Sequence, residues 1–406
     1  MIELMVLFIF ILGNHSMIDL DTTIGAAAMQ HDLQSRISVL HLAHNVSETT
    51  SSYNEHILPN IEKYDLALCT IFDQVVPNTP SALRLYVGNN STLGFITLLS
   101  TLLRSGHFDV IHAHTPHTAV LLVIASIWAL RLDLLRSSVL TVHSSIRIYK
   151  TRNQILAFLA FLFIGHIVHC SKSSYDSLPW LFKVVSDYKR TYIQNGVDLE
   201  RIDRTLANAR SLLAESMPHE SDVFTVVSVG RLIHIKNPLT LLKGYTLSQI
   251  EHAKLIFIGQ GDLLTSLEHE IDILDRDHNV ELAGLISRED VFGSLRTADL
   301  FVSTSYGEGL PYSVMEAMAC QCPVILSDIG PHREIAQGAD FIPIIEPDDV
   351  QALAREIHKF SSMSAAERVK IGKRCRQWVA QYFSLSSMNQ QYAELYQKIS
   401  KKQVMS

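Results

Sequence analysis

The stretch Ser303-Thr-Ser-Tyr-Gly-Glu-Gly-Leu-Pro-Tyr-Ser-Val-Met-Glu-Ala-Met-Ala319 decides the fold of this chain. An apolar run at 298–302 leads into it and predicts a buried strand. Pro311 suits the first turn of a helix, where a missing N–H costs nothing. The helix that follows is apolar on most sides, which predicts that it is buried. Strand, loop and helix together are typical of α/β proteins with a parallel sheet.

Two carboxylates stand out in this stretch: Glu308 lies in the loop, and Glu316 lies about one turn inside the helix. A helix start presents unpaired N–H groups and a positive dipole end, which suit a phosphate. Gly307 and Gly309 allow the backbone to approach a ligand closely. Because carboxylates repel phosphate, we interpret both as acceptors of hydrogen bonds from hydroxyls. A ligand with a diphosphate and sugar hydroxyls fits this pattern, as in a nucleotide sugar.

Composition limits the class of protein. A chain of 406 residues is long enough for two domains with separate cores. Its net charge of −7 argues against a nucleic-acid partner. The five cysteines are scattered and odd in number, which predicts reduced thiols in a reducing compartment. We therefore expect a cytoplasmic protein.

Short apolar runs alternate with helical segments in two sets. The first set runs from a strand at 37–43 to one at 167–170, and the second from 223–229 to 340–344. This alternation predicts parallel βαβ units, and two doubly wound halves leave a cleft at the carboxyl ends of their strands. The predicted parts are an N-terminal extension of uncertain role, two α/β domains with a linker region between them, and a final helix with its tail, at 1–36, 37–195, 196–222, 223–383 and 384–406.

Two cations flank a predicted helix start in the second set. Gly230-Arg231 follows a strand, and Lys236-Asn237-Pro238 opens a helix, with Asn237 predicted as its side-chain cap and Pro238 in its first turn. An arginine grips two phosphate oxygens and a lysine acts as a point charge, so the pair suits a diphosphate. The alternative is an ordinary solvated surface pair, since Lys and Arg are mostly exposed. Taken alone, the spacing leaves both interpretations open.

Together these motifs resemble glycosyltransferase family 4, the group 1 retaining enzymes. The resemblance covers roughly residues 37–402. It rests on Gly-Arg-x4-Lys-Asn-Pro at 230–238, Ile-Gly-Gln-Gly-Asp at 258–262, the spacing of Glu308 and Glu316, His-Ala-His at 112–114 and Asn-Gly-Val-Asp at 195–198. It departs from the family where the loop at 45–52 lacks glycine and where His143-Ser144 stands in place of His-Gly.

The resemblance implies the GT-B fold, in which two doubly wound Rossmann-like domains face a central cleft. The N-terminal domain would then take the acceptor and the C-terminal domain the nucleotide-sugar donor. The final helix would cross back to the N-terminal domain.

The resemblance also implies roles residue by residue. Arg231 and Lys236, beside Gly230, would hold the donor diphosphate, and Glu316 would bind the ribose. Glu308, with the Gly309 and Leu310 amides, would hold the donor sugar, and His114 would lie near the transferred sugar. The catalytic set would be Glu308, His114, Arg231 and Lys236.

The implied reaction moves a sugar from a nucleotide-sugar donor to an acceptor hydroxyl with retention. The acceptor would be a saccharide or a lipid-linked saccharide, in cell-surface polysaccharide, lipopolysaccharide or glycolipid synthesis. We expect no cofactor and no required metal, because two cations and a helix start already face the diphosphate. A sugar-nucleotide epimerase or phosphorylase on the same fold, and an inactive membrane-associated scaffold, stay open as alternatives.

Three further patterns carry weaker expectations. A metal cluster of His112, His114, His117 and His143 stays open, although no carboxylate or cysteine completes a recognisable spacing. Gly-Gln-Gly at 259–261 lacks a third glycine, so a nicotinamide cofactor is not expected.

The segments 117–130 and 153–165 are apolar but shorter than a bilayer span. Arg147, Lys150 and Arg152 precede the second of them and are suited to anionic lipid head groups. We leave open a peripheral contact with the inner face of the plasma membrane.

Overall fold

A computed structural model describes residues 36–46, 50, 52–72, 79–213, 223–274 and 279–404 of the chain. Residues 37–406 form one compact unit. The predicted extension at 1–36 lies outside the described residues apart from its last position.

A parallel sheet of seven strands forms the N-terminal domain. The strands are β1 (Ser38–Ala43), β2 (Asp65–Thr70), β3 (Arg84–Val87), β4 (Val110–Ala113), β5 (Ser138–Val142), β6 (His166–His169) and β7 (Arg190–Tyr192). Their order is β3-β2-β1-β4-β5-β6-β7. The strand order reverses between β1 and β4, which is where sheets of this kind bind ligands. The sequence interpretation missed β3, a short edge strand that is not fully buried.

Five helices cover this sheet: α1 (Thr92–Ser105), α2 (Pro116–Ala129), α3 (Thr151–Phe163), α4 (Lys172–Asp176) and α5 (Trp180–Ser186). Side-chain caps begin the first two, since Ser91 accepts from Gly94 N and Thr115 accepts from Thr118 N. After β1 the sequence predicts a helix from about residue 53. The structure has a short helical segment there: a π-type turn at Ser52–Ile57, whose six residues are all buried, continues into a 3-10 turn at Leu58–Asn60.

A second parallel sheet forms the C-terminal domain. Its strands are β8 (Phe224–Val229), β9 (Ala253–Ile258), β10 (Val280–Gly284), β11 (Leu300–Ser303), β12 (Val324–Ser327) and β13 (Ile344–Ile345), in the order β10-β9-β8-β11-β12-β13. The helices are α6 (Leu199–Leu213), α7 (Pro238–Leu247), α8 (Leu264–Leu274), α9 (Arg288–Thr297), α10 (Tyr312–Ala319), α11 (Gly330–Ala336), α12 (Val350–Ser361) and α13 (Ala365–Tyr382). The strand–loop–helix unit predicted at 298–319 is therefore β11 and α10.

The segment predicted as a linker region, 196–222, is not structureless. It contains α6, and Val197 and Ile202 are buried in the core of the C-terminal domain. Its residues 214–222 lie outside the described part of the chain. The helix was missed because most of its positions are polar and only a narrow apolar stripe reaches the core.

Asn237 begins α7 in a different way from the predicted side-chain cap. Its backbone lies in the left-handed region, with φ at 51°, and its side chain caps no N–H of the helix. The amide group instead donates to the carbonyl of Pro347 at 3.0 Å. The first-turn proline is as predicted.

The last helix, α14 (Leu385–Val404), packs on the N-terminal domain. Its buried Met388, Tyr392 and Tyr396 share one apolar core with strands of the first sheet. The Tyr396 hydroxyl lies 2.6 Å from His112 Nδ1, and the Tyr392 hydroxyl lies 2.9 Å from Thr141 Oγ1. The predicted crossover of the chain is therefore confirmed.

Within the described ranges, no helix combines the length and apolar character that a membrane span requires. The two apolar segments noted in the sequence are α2 and α3. Both contribute buried residues to the main core of the N-terminal domain.

Candidate active site

The predicted diphosphate and sugar residues meet at the carboxyl ends of β8 and β11. Lys236 Nζ donates to Glu308 Oε1 at 2.6 Å, and Ser305 Oγ donates to the same oxygen at 2.7 Å. A side chain on Gly230 would begin 3.9 Å from Lys236 Nζ. Only 24% of the Lys236 side chain and 10% of the Glu308 side chain are exposed. Residues far apart in sequence thus form one partly buried ion pair.

Arg231 stands apart from this pair. Its side chain is exposed. It forms no hydrogen bond or ion pair with any residue that the structure describes. The guanidinium donors are therefore available to a ligand, as a diphosphate-binding role requires.

The loop glycines serve a contact between domains. A Cβ on Gly309 would lie 2.1 Å from the His143 carbonyl oxygen, and one on Gly307 would lie 2.7 Å from Ile148 Cγ2. The sequence predicts that these glycines allow a ligand to approach the backbone. Instead, the space that a side chain would need is filled by the N-terminal domain.

Leu310 belongs to the same contact. Its carbonyl accepts a hydrogen bond of 3.0 Å from the Asn195 side chain. Burial raises the pKa of the Cys170 thiol to about 12, and the Leu310 backbone N–H is among the donors that oppose this rise. Both polar backbone groups of Leu310 therefore face protein groups in this structure.

Glu316 lies in a buried charged cluster. The guanidinium of Arg288, at the start of α9, donates to Glu316 and also, at 2.8 Å, to Glu55 Oε1 of the N-terminal domain. Burial raises the pKa of Glu316, against the opposing effect of Arg288 and Arg201. Glu316 is thus held in place by an arginine, and a ribose would bind a carboxylate that is already oriented.

Glu55 and Arg288 were missed by the sequence analysis. Burial raises the pKa of Glu55 to about 7, although Arg288 opposes the shift. Glu55 Oε2, Arg288 Nε and the Tyr312 hydroxyl are buried without a partner among the described residues. The cluster therefore retains unused hydrogen-bonding capacity between the domains. Sequence spacing carried no signal for it, because its members are brought together only by the fold.

His114 lies in a row of three imidazoles: His41 in β1 and His114 just after β4 are buried, and His143 just after β5 is partly buried. Its Nε2 lies 2.9 Å from His41 Nδ1, and its Nδ1 lies 3.2 Å from His143 Nε2. Burial lowers the pKa of His114 well below its usual range, that of His41 to about 3 and that of His143 to about 4. The row is therefore uncharged near neutral pH. Since the His143 carbonyl touches Gly309, the row reaches the loop that carries Glu308.

A second carboxylate joins the two domains. Glu334, in α11, accepts hydrogen bonds from the backbone N–H groups of Lys172 at 2.9 Å and Ser173 at 2.7 Å. These N–H groups lie at the start of α4, where a negative charge is favourable. Gln194 donates to the same carboxylate at 2.6 Å. This contact helps to hold the two domains together beside the site.

Two family models match complementary parts of the chain. The model described as "Glycosyl transferases group 1" matches residues 211–378, and the one described as "Glycosyltransferase Family 4" matches residues 73–201. The chain belongs to the group 1, family 4 glycosyltransferases. As a family 4 member it is a transferase, in agreement with the resemblance seen in its motifs.

Curated relatives of this family 4 chain are distant. The Escherichia coli UDP-Gal:alpha-D-GlcNAc-diphosphoundecaprenol alpha-1,3-galactosyltransferase is 24% identical over 73% of the chain and 77% of its own length. The Staphylococcus aureus capsular polysaccharide biosynthesis glycosyltransferase CapH is 25% identical over 58% of the chain and 64% of its own length.

Solved structures establish the fold. Sucrose-phosphate synthase from Thermosynechococcus elongatus superposes with a TM-score of 0.73 at 18% identity, covering 90% of the chain and 99% of the neighbour. HepE from Anabaena, solved with UDP-glucose, superposes with a TM-score of 0.70 at 19% identity, covering 89% of the chain and all of the neighbour. With the two sheets and the crossover helix, these likenesses confirm the GT-B fold.

Proposed function

We propose that this chain transfers a glycosyl group from a nucleotide sugar to an acceptor hydroxyl with retention of the anomeric configuration. The proposal rests on the ion pair between Lys236 and Glu308, in which Nζ lies 2.6 Å from Oε1, and on the exposed Arg231 of the same domain. A cation for phosphate and a carboxylate for hydroxyls then lie side by side, as the junction between a diphosphate and its sugar requires.

Different residues would contact different parts of the donor while its glycosidic bond breaks. Charge develops on the leaving diphosphate, where Arg231 and Lys236 would stabilise it electrostatically. Glu308 would orient the sugar through its hydroxyls, and Glu316 would hold the ribose. The leaving phosphate is the proposed acceptor for the proton of the attacking hydroxyl. Unlike a retaining glycosidase, the site assigns no carboxylate as a covalent nucleophile.

His114 would act as a neutral hydrogen-bonding group near the transferred sugar. Its lowered pKa supports this role, because an uncharged imidazole does not compete with Arg231 and Lys236 for the phosphates. His143 connects it to the Gly309 loop. This arrangement favours a sugar held between the two domains, with Gly309 and Leu310 closing one side.

The names of relatives support the substrate class. The Escherichia coli relative is named for a UDP-galactose donor and a diphosphoundecaprenol-linked acceptor, and CapH for capsular polysaccharide synthesis. We therefore propose a nucleoside diphosphate sugar donor and a saccharide or lipid-linked saccharide acceptor. The product would enter a cell-surface polysaccharide or glycolipid. We propose that no cofactor and no metal ion are needed for this transfer.

We further propose that the enzyme is cytoplasmic and acts at the inner face of the membrane that holds a lipid-linked acceptor. The face formed by α3 and α5 exposes Ile155, Phe163, Trp180 and Val184, between 49% and 69% each. Lys150 and Arg152, at the start of α3, are exposed as well. Apolar side chains beside cations suit an anionic bilayer surface.

A reconstituted assay tests the transfer. Purified protein is incubated with a panel of nucleotide sugars, with and without saccharide and undecaprenyl-linked acceptors, while nucleotide diphosphate release is measured and the product anomer is determined by NMR. We expect release that depends on the acceptor and a product with the donor's configuration. Donor turnover without acceptor would favour an epimerase, and absence of nucleotide binding would favour an inactive scaffold.

A further inference from the structure

We propose that His56, His114 and His143 form a binding site for a divalent transition-metal ion of the zinc type. The three side chains each offer one ring nitrogen, and these nitrogens lie within 4.8 Å of one another. They come from three separate places: the π-type turn after β1, the end of β4 and the end of β5. Imidazole is a preferred ligand of Zn²⁺, Co²⁺, Ni²⁺ and Cu²⁺.

The arrangement of the rings fits one central ion. The ring centroids are 5.2 Å apart for His56 and His114, 5.5 Å for His114 and His143, and 5.6 Å for His56 and His143. The three rings thus form a nearly equilateral triangle. Zn–N bonds of about 2.0–2.1 Å require ligand nitrogens about 3.3 Å apart. His114 Nδ1 and His143 Nε2 already lie 3.2 Å apart, and the ligand nitrogen of His56 lies within 4.8 Å of both, so an inward movement of the His56 ring would complete the set.

An unpartnered nitrogen marks this triangle. His56 Nε2 is buried and has no hydrogen-bond partner in the described part of the chain. Only 4% of His56 is exposed. Buried polar atoms are normally hydrogen-bonded, and an orphan is often the mark of an ion or a water.

His41 supplies the outer hydrogen bond that a metal-bound histidine needs. When His114 Nδ1 binds an ion, its single hydrogen must lie on Nε2. That nitrogen is 2.9 Å from His41 Nδ1, which then accepts the hydrogen bond. Metal ligands commonly donate their second N–H to such a partner, which fixes the tautomer and the ring orientation.

A neighbouring triad fits an ion less well. His41, His112 and His114 also lie within 4.8 Å of one another. However, His112 Nδ1 lies 2.6 Å from the Tyr396 hydroxyl and its Nε2 lies 2.7 Å from Thr141 Oγ1. Both nitrogens of His112 are therefore engaged, and we assign the site to the first triangle.

The ion would inhibit transfer, and this consequence rests on the proposed function. An ion bound to His114 Nδ1 occupies the ring nitrogen that His114 would need for a hydrogen bond to the transferred sugar, because its Nε2 faces His41. The nucleotide-binding residues Arg231, Lys236 and Glu316 belong to the other domain and are not ligands. Metal binding should therefore lower the rate of transfer and leave the affinity for nucleotide diphosphate unchanged.

Direct metal binding is the first measurement and needs no substrate. Metal-free full-length protein is titrated with Co²⁺, and the visible absorption of a nitrogen-ligated ion is followed. Bound Zn²⁺ is counted by equilibrium dialysis. We expect one ion per chain and displacement of Co²⁺ by Zn²⁺. The absence of a ligand-field absorption, together with no ion retained in dialysis, would overturn the proposal.

Substitutions locate the ion. His56→Gln and His143→Gln should each weaken Zn²⁺ binding at least tenfold. The matched control is the double variant His44→Gln and His117→Gln, because these two rings also lie 5.5 Å apart but are not deeply buried and are outside the triangle. Full affinity in His56→Gln with loss in the control would show that the ion binds at the surface pair. Circular dichroism checks the fold of each variant.

If His56→Gln does not fold, the number of imidazole ligands can be determined by spectroscopy on the unsubstituted protein. X-ray absorption of the zinc-loaded, unsubstituted protein should show three imidazole nitrogens. A shell of oxygen atoms with fewer than two imidazoles would contradict the assignment. Titration of nucleotide diphosphate in the presence of a chelator tests the proposed function separately, so failure of one proposal is distinguishable from failure of the other.

Discussion

Lys236 and Glu308 form an ion pair, with Nζ 2.6 Å from Oε1. A donor sugar diphosphate therefore enters a site where the cation and the carboxylate already stabilise each other. The phosphate would compete with Glu308 for Lys236, while sugar hydroxyls would take the place of Lys236 at Glu308. In the proposed mechanism, the phosphate and the sugar of the donor would thus each contact one member of this ion pair.

Substitution of Lys236 tests the phosphate contact. Lys236→Ala should weaken nucleotide diphosphate binding by about 1.5–3 kcal/mol, the range for a charge-assisted hydrogen bond. Binding of the free nucleoside should hardly change. Isothermal titration with both ligands measures the difference, and Lys243→Ala, an exposed lysine of α7, is the control. Equal weakening of nucleoside and diphosphate would mean that Lys236 does not touch phosphate.

Substitutions of the two carboxylates, Glu308 and Glu316, should affect different measurements. Glu316→Gln should weaken binding of the nucleotide diphosphate product, because that product contains the ribose. Glu308→Gln should leave that affinity nearly unchanged and lower kcat and kcat/KM together, as loss of a transition-state contact does. The exposed Glu289, next to Arg288, supplies the control Glu289→Gln.

The ion pair between Glu316 and Arg288 suggests a purely structural role for Glu316, which the same measurements can detect. If Glu316 only balances the buried Arg288, then Glu316→Gln will lower the melting temperature without a selective loss of nucleotide affinity. If Glu308→Gln weakens the diphosphate as much as Glu316→Gln does, the assignment of sugar to one and ribose to the other is wrong.

Gly309 should be intolerant of even one added carbon. In Gly309→Ala, the new Cβ would lie 2.1 Å from the His143 carbonyl oxygen and 2.8 Å from Cys170 Sγ, so the domains would have to separate. We expect kcat to fall at least tenfold while nucleotide diphosphate still binds to the C-terminal domain. Gly293→Ala is the matched control, because nothing lies within 4 Å of its Cβ and alanine favours a helix by up to about 1 kcal/mol. Unchanged turnover in Gly309→Ala would show that this contact is not needed.

The buried Glu55 should make stability depend on pH. Its pKa is raised from 4.5 to about 7, chiefly by burial. Between these values the folded state holds a proton that the unfolded state lacks, so the free energy of unfolding falls as pH rises, by at most about 3 kcal/mol. Glu55→Gln should remove this slope. The difference in melting temperature between variant and wild type should therefore favour the variant more at pH 8 than at pH 5. An equal difference at the two pH values would contradict the raised pKa.

The apolar face of α3 and α5 should bind anionic vesicles. The double substitution Trp180→Asp and Val184→Asp places carboxylates on this face and should reduce co-flotation with phosphatidylglycerol vesicles severalfold. Binding should also fall as salt is raised, because the cations of α3 contribute. The control, Val369→Asp and Tyr382→Asp, alters two exposed apolar residues of α13 in the other domain. Equal losses in both double variants would point to non-specific adsorption.

Local patterns were enough to predict much of this protein. Apolar runs predicted eleven of the thirteen strands described here; β3 and β10, the two edge strands that were missed, are not fully buried, and the crossover helix followed from the family resemblance. The spacing from Gly230 to Lys236 and from Glu308 to Glu316 predicted a donor site, and the structure brings Lys236 and Glu308 together. These features are readable because strand, loop and helix starts depend on neighbouring residues, and the site residues lie at the ends of such elements.

Only the tertiary structure could decide what the site residues touch. Gly309 was predicted to approach a ligand, whereas the His143 carbonyl fills that space. Glu316 was predicted to bind a ribose, and in the folded protein its carboxylate also accepts a hydrogen bond from the Arg288 guanidinium. The bonds of His114 to His41 and His143 join residues on three strands. Such contacts depend on how two domains and separate strands meet in space, which spacing along the chain does not encode.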